Sequence, residues 1–459
     1  MSYGRCRLHV CSRSLLLTLL ALAGAASTGT AHARTEADAS AALEMFRTGQ
    51  ESDETFDRDL GIARLDRLTG EYVDAMRALE DLLDRVRDEH GPWDMRNVVV
   101  LTEIAGVQRD LGNLDEAVGL YNEALHVNRV NQGLHDVTQV DILEEVAEVQ
   151  VELGDFEAAN QIQEYAFYVQ ERTHGAGSPA VLPGLYRLAS WWRQTGNLFS
   201  SRALYEQAIG IVEANFGPDD IRLVDALRGL ASTYRQERYP TRPLLSPEQN
   251  EFSFSSGPTP LGGASPIYAE DSRVRLNRYG DGQEALERIV RIVDAHAGST
   301  ARERAQTRLD LADWYLVFDK WNSAFETYAE ARELLVADGW DQARMDELFG
   351  QPSPLVFPLP EPPRRPDTPA LARSGYVQLV YDVGERGRVR TVDVVASDPE
   401  GLMDFRTRKA LRGARFRPRF EDGEPVATEG VEYRHEFVYY GPPEGPEPEA
   451  IAADEPEES

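Results

Sequence analysis

Two groups of side chains have the types and spacing for recognition chemistry. Arg187, Arg193, Arg228 and Arg235 are interleaved with Trp191, Trp192 and Tyr234. A guanidinium fork beside a flat aromatic ring is what an acidic or C-terminal peptide needs, so Arg187, Trp191, Arg193, Arg228 and Arg235 form a candidate peptide-binding set. A second reading makes the aromatics core residues and pairs the arginines with neighbouring acids. The second group is Arg406, Arg408, Lys409, Arg412, Arg415, Arg417 and Arg419. It could dock on the chain's own acidic surface, meet an acidic partner, or form a solvated face. For catalysis there is little on offer. No His-Glu-x-x-His, Gly-x-Ser-x-Gly or phosphate-cradling glycine loop occurs. His90, His126, His135, His174, His296 and His435 are scattered. The expectation is no catalytic residue, no metal and no cofactor, hence not an enzyme.

The 459 residues carry a formal net charge of −30, which disfavours nucleic acid as a partner. The basic residues are almost all arginine; Lys320 and Lys409 are the exceptions. The N-terminus has Arg5, Arg7 and Arg13, an apolar run from Leu15 to Ala26, and Ala31-His32-Ala33. That is the pattern of a secretory signal peptide over 1–33, cleaved after Ala33. The run is too short for the roughly 20 residues of a spanning helix. Both cysteines, Cys6 and Cys11, lie inside the expected signal peptide, so the mature chain is expected to have no disulfide. The expected location is the periplasm, by export of the Gram-negative type, with no transmembrane segment in the mature chain.

Positioning elements follow from a ladder of glycines. Gly70, Gly112, Gly154 and Gly196 recur at 42-residue steps, as do Gly91, Gly133, Gly175 and Gly217. Ala63, Ala105, Ala147, Ala189 and Ala231 keep the same register, and so do Ala75, Ala117, Ala159 and Ser201. A period between 20 and 50 residues marks a solenoid, here with two helices per unit. Glycine closes each helix in the left-handed conformation, and Asn113, Asp155 and Asn197 are placed to cap the second helix. These residues resemble the tetratricopeptide repeat in its 42-residue, kinesin light chain-like form, with Leu114-Asp115-Glu116-Ala117 the clearest instance. The resemblance implies that helix A lines a concave, peptide-binding face. After a loose lead-in over 34–56, the array runs over 57–238. A Pro/Ser/Gly-rich insertion at 239–267 then interrupts the fifth unit. Divergent repeat helices resume over 268–345, with Ala301–Val317 as a helix A and a helix B from Asn322 to Ala337. Five to six repeats result.

Eight prolines between 346 and 374 read as an extended linker that keeps its neighbours apart. Beyond it the apolar period changes from 3.6 to 2. Val377, Leu379, Tyr381 and Val383 alternate with other residues, Gly384–Gly387 is a hairpin turn, and a bulge is expected near Arg390. A short helix over about 402–412, a turn at Asp422-Gly423 and a strand over Val431–Tyr440 complete the module. An acidic tail over 442–459 is expected to be disordered. Gly375-Tyr376-Val377, Gly387-Arg388-Val389, Arg415-Phe416-Arg417-Pro418 and Asp422-Gly423 resemble the C-terminal domain of the TonB energy-transducer family. The fold class is therefore multidomain: an α-helical repeat solenoid followed by a small α+β (β-β-α-β) domain over 375–441. The resemblance implies docking of an outer-membrane transport or other envelope partner by strand addition. The docking strand would carry Val431, Tyr433, His435, Phe437 and Tyr439 on one face. The expected function is a non-enzymatic periplasmic protein-interaction scaffold of undetermined oligomeric state. An envelope assembly scaffold that uses the small domain for packing or oligomerisation is the alternative. An enzyme with an unrecognised site is the more remote one.

Overall fold

The computed structural model describes residues 53–240, 278–364 and 371–441. The expected signal peptide, most of the insertion and the acidic tail lie outside them. The chain forms two compact units, divided between Asn113 and Leu114. The first contains α1 (53–69), α2 (Tyr72–His90) and α3 (Met95–Asp110). Arg64 and Arg67 on α1 tie to Glu103 and Asp110 on α3, with N···O distances of 2.5 and 2.6 Å for Arg64–Glu103 and Arg67–Asp110.

The second unit begins with α4 (Leu114–Gln132), α5 (Val140–Leu153), α6 (Phe156–His174), α7 (Leu182–Gln194), α8 (Leu198–Phe216) and α9 (Leu223–Arg238). It continues with α10 (Tyr279–Ala295), α11 (Ala301–Val317) and α12 (Trp321–Ala337). Neighbours in this series pack on one another through the in-register small residues; Ala147, Ala159, Ala189, Ala208, Ala312 and Ala324 are fully buried. A side chain any larger would push the helices apart. The interrupted fifth repeat is completed as expected: α10 returns beyond the insertion and packs on α9.

All eight ladder glycines have positive φ, from 79° at Gly154 to 104° at Gly217. There a Cβ would be strained, which is why the ladder exists. The capping expectation holds at Asp155 and fails at Asn197. The Asp155 carboxylate accepts from the Ala158 N–H at 3.0 Å. Asn197 makes no side-chain cap bond, and the Asn113 amide NH2 donates to Gln108 at 2.8 Å. An amide has a donor as well as an acceptor, so other partners compete for it.

Helix α13 (Gln342–Phe349) and strand β1 (Ser353–Val356) follow. The small domain then adds β2 (Leu371–Val383), β3 (Val389–Asp398), α14 (Asp404–Arg412), β4 (Arg415–Arg417), β5 (Arg419–Glu421), β6 (Glu424–Val426) and β7 (Thr428–Gly441). Its main sheet is antiparallel in the order β3-β2-β7, with α14 against β3 and β2. The β2–β3 turn closes with Gly384 N–H donating to the Arg388 carbonyl at 2.9 Å. The register slips by one residue where Tyr381 faces Val392 and Val383 faces Val389, which puts the bulge at the expected place. The stretch 346–374 differs from the spacer expected of it. Its first residues finish α13, and Ser353–Val356 pairs antiparallel with β4. Proline blocks donation from its own nitrogen only, so a short edge pairing survives around Pro354.

Candidate functional site

The arginine–aromatic set on the A helices separates into core and surface. Trp191 and Trp192 on α7 and Tyr234 on α9 are buried, at 7, 8 and 7 % exposure. The Trp191 indole N–H donates to Asn160 Oδ1 on α6 at 2.9 Å, and Asn160 donates to Glu164. Trp191 therefore packs between repeats and offers no face to a peptide. Arg187 reaches Glu144 on the preceding helix A at 2.6 Å. Burial raises the Glu144 carboxyl above its ordinary pKa while the Arg187 charge pulls it down. Arg228 reaches Asp310 on the following helix A at 3.2 Å. Burial likewise raises Asp310, against hydrogen bonding by Gln306 and the charge of Arg228. Arg193 donates to Gln236 at 3.2 Å. Arg235 is exposed, with no ion pair among the described residues. The arginines thus staple successive A helices, and Arg235 is left to face solvent. Sequence reasoning missed Arg202, which is 4 % exposed on α8. It stacks on Tyr234 at 4.3 Å and pairs with Glu237 at 2.8 Å.

The second candidate is β7. It lies at the sheet edge and pairs over its length with β2, with no other strand beside it among the described residues. One row of N–H and C=O groups is therefore open to another extended chain. Val431, Tyr433, His435, Phe437 and Tyr439 do share a face, turned toward the core. Tyr433, His435, Phe437 and Tyr439 form a ring ladder with centroid spacings of 6.3, 6.1 and 6.2 Å. Phe357 closes on Tyr433 at 4.8 Å. The opposite face carries Glu432, Arg434 and Glu436, and Arg434 stacks on Tyr376 at 3.8 Å. An open cleft of about 350 Å³ lies there, lined by Ser374, Gly375, Tyr376, Arg434 and Val438 among others.

Burial lowers the pKa of His435. On acidification the unfolded chain takes up this proton first. Stability from His435 is therefore expected to fall as the pH drops below about 6.5. His435→Phe should remove that part of the slope. Urea midpoints at pH 7.5 and 5.5 check it, and identical slopes for variant and wild type would contradict it.

The basic group of the small domain is divided. Arg417 is 8 % exposed and bidentate on Asp313 of α11, at 3.0 and 2.7 Å. Arg419 pairs with Glu421 at 2.7 Å. Arg406 donates to the Glu361 and Pro362 carbonyls, and Arg415 to those of Gly413 and Ala414. Arg408, Lys409 and Arg412 make no ion pair among the described residues. Of the three readings of this group, docking on the chain's own acidic surface is met by Arg417.

Residues 369–438 match the family model described as Gram-negative bacterial TonB protein C-terminal. Residues 185–222 match that of the tetratricopeptide repeat. The chain joins tetratricopeptide repeats to a TonB-type C-terminal domain. Both resemblances read from the residues are thereby met. Among solved structures, the nearly identical TPR-like repeats of a Podosopora anserina chain described as kinesin light chain are similar at 16% identity and a TM-score of 0.37. That match covers 52% of this chain and 96% of the other. BtubC (BKLC) from P. vanneervenii is 16% identical with a TM-score of 0.39, covering 68% and 97%. The apo quorum sensor NprR from B. thuringiensis is 15% identical with a TM-score of 0.29, covering 66% and 84%. No curated protein matches the sequence. Repeats and TonB-type domain together mark a chain with protein-binding modules, and both kinds of module are typically non-catalytic. Among the described residues no helix is long and apolar enough to cross a membrane.

Proposed function

We propose that the protein is a non-enzymatic scaffold of the Gram-negative periplasm. Its repeats bind a protein or peptide, and its TonB-type domain adds an extended segment of an envelope or outer-membrane transport partner along β7. The observation that carries this reading is the outer edge of β7, a 14-residue strand at the border of a three-stranded sheet, beside which no other strand lies among the described residues. A free edge of that length is a template for strand addition, which supplies main-chain hydrogen bonds to any extended sequence. The export pattern at Leu15–Ala33 supports the compartment.

On the repeats, the ligand-facing groups reduce to Arg235 and the outer sides of Arg187 and Arg228. Arg187→Glu with Arg235→Glu is expected to cut recovery of an acidic partner from periplasmic extract on the order of tenfold, with the fold retained. Unchanged recovery would remove the helix-A face from the binding surface and leave β7 alone.

A further inference from the structure

Helix B of repeats two, four and six carries a tyrosine at one register position, four residues after the signature small residue: Tyr121, Tyr205 and Tyr328. The first two reach helix A of the repeat that follows. Tyr121 donates to Glu145 on α5 at 3.4 Å. The Tyr205 ring lies so close over Gly229 on α9 that a Cβ there would stand 2.2 Å from it. Tyr328 has no seventh repeat to meet among the described residues, yet it is fully buried. Its hydroxyl donates to Asp313 at 2.5 Å, and its ring is covered from beyond the last repeat. Phe420 of β5 lies 5.3 Å away, Phe349 of α13 lies 6.5 Å away, and the Arg417 guanidinium 5.7 Å away. Phe420 belongs to the same apolar cluster as Leu309, Leu335 and Met345.

We infer that the TonB-type domain is the terminal cap of the repeat array, standing where helix A of a seventh repeat would otherwise pack. An array of repeats leaves an apolar end that must be sealed by something with a polar outer surface. The β4–β5 segment does this with one aromatic and one arginine, which replace the packing and the polar contact of a missing helix. Other contacts complete the seal. Arg388 pairs with Asp319 at 2.7 Å, and Arg386 lies over Trp321 at 4.0 Å. Gly387 holds φ at 69°, and a Cβ on it would run into the Phe416 carbonyl and come within 3.3 Å of Leu316. Strand β1, which lies before the matched residues 369–438, supplies the pairing for β4 and contacts α11. The cap and repeat six therefore share one core, and the strand-adding edge is carried by a domain fixed to the repeats.

Hydrogen exchange on the full chain tests this without reference to any partner. Phe420→Ala is expected to speed amide exchange at least tenfold in α11 and α12 as well as in the small domain. Acceleration confined to residues 371–441 would overturn the inference. Should Phe420→Ala fail to fold, Arg386→Ala with Arg388→Ala, at the rim of the same contact, decides. Faster exchange in the first turn of α12 supports the cap, and unchanged exchange there overturns it.

Discussion

Asp313→Ala is expected to lower the stability of the unit that contains repeat six by about 3–5 kcal/mol. The carboxylate serves two buried groups at once. It accepts both arms of Arg417 and the hydroxyl of Tyr328. Removing it leaves a guanidinium that is 8 % exposed with no counter-charge, and desolvating an unpaired charge costs far more than a solvated pair contributes. Burial alone pushes the Arg417 pKa down, and the charge and hydrogen bonds of Asp313 outweigh it, so the net shift is upward. Burial, followed by the Asp313 charge, raises the Tyr328 hydroxyl well above its ordinary value, so it stays a donor. Urea unfolding read by the fluorescence of Trp314 and Trp321 measures the loss. Asp313→Leu with Arg417→Met should recover most of it, because an apolar pair of similar volume carries no desolvation penalty. A loss below about 1 kcal/mol would place the pair among solvated surface bridges and contradict the buried geometry.

Trp191→Ala is expected to cost about 3–5 kcal/mol, as truncation of a buried indole does. Its side chain belongs to the same buried apolar cluster as Leu188, Leu204 and Val181. It also satisfies Asn160, whose Oδ1 accepts its N–H. Trp191→Phe isolates that second contribution and should cost about 1–3 kcal/mol through the unmet acceptor. Were Trp191 a peptide-binding platform, Trp191→Ala would instead spare stability and abolish binding. Chemical denaturation beside a partner pull-down separates the two outcomes.

The repeats were legible in the sequence because their constraints are local and recur. A left-handed turn admits glycine, and closely packed helices admit alanine, so Gly154 or Ala147 states its own reason. The small sheet was legible for the same cause: Val377, Leu379, Tyr381 and Val383 alternate, and Gly387 marks the turn. Trp191 was ambiguous because an indole has the same chemistry buried or exposed, and only its neighbours on α6 decide. Arg417 was hidden among six other cations. Nothing near it in the chain distinguishes it, since Asp313 lies 104 residues away. The linker was misread for a related reason. Proline content reports on the local backbone and not on whether Ser353–Val356 finds a strand to pair with at Arg415–Arg417. Signals that depend on distant partners leave no local trace, and the junction between repeats and cap is made entirely of such partners.

The scaffold reading is tested most directly by photo-crosslinking in cells from two exposed positions, Arg235 on the helix-A face and Glu436 beside the open edge of β7. Adducts with envelope proteins from both positions are predicted, and those from Glu436 should be lost when an excess of a competing extended segment of the captured partner is supplied. An exported, folded chain that gives no protein adduct from either position would contradict it.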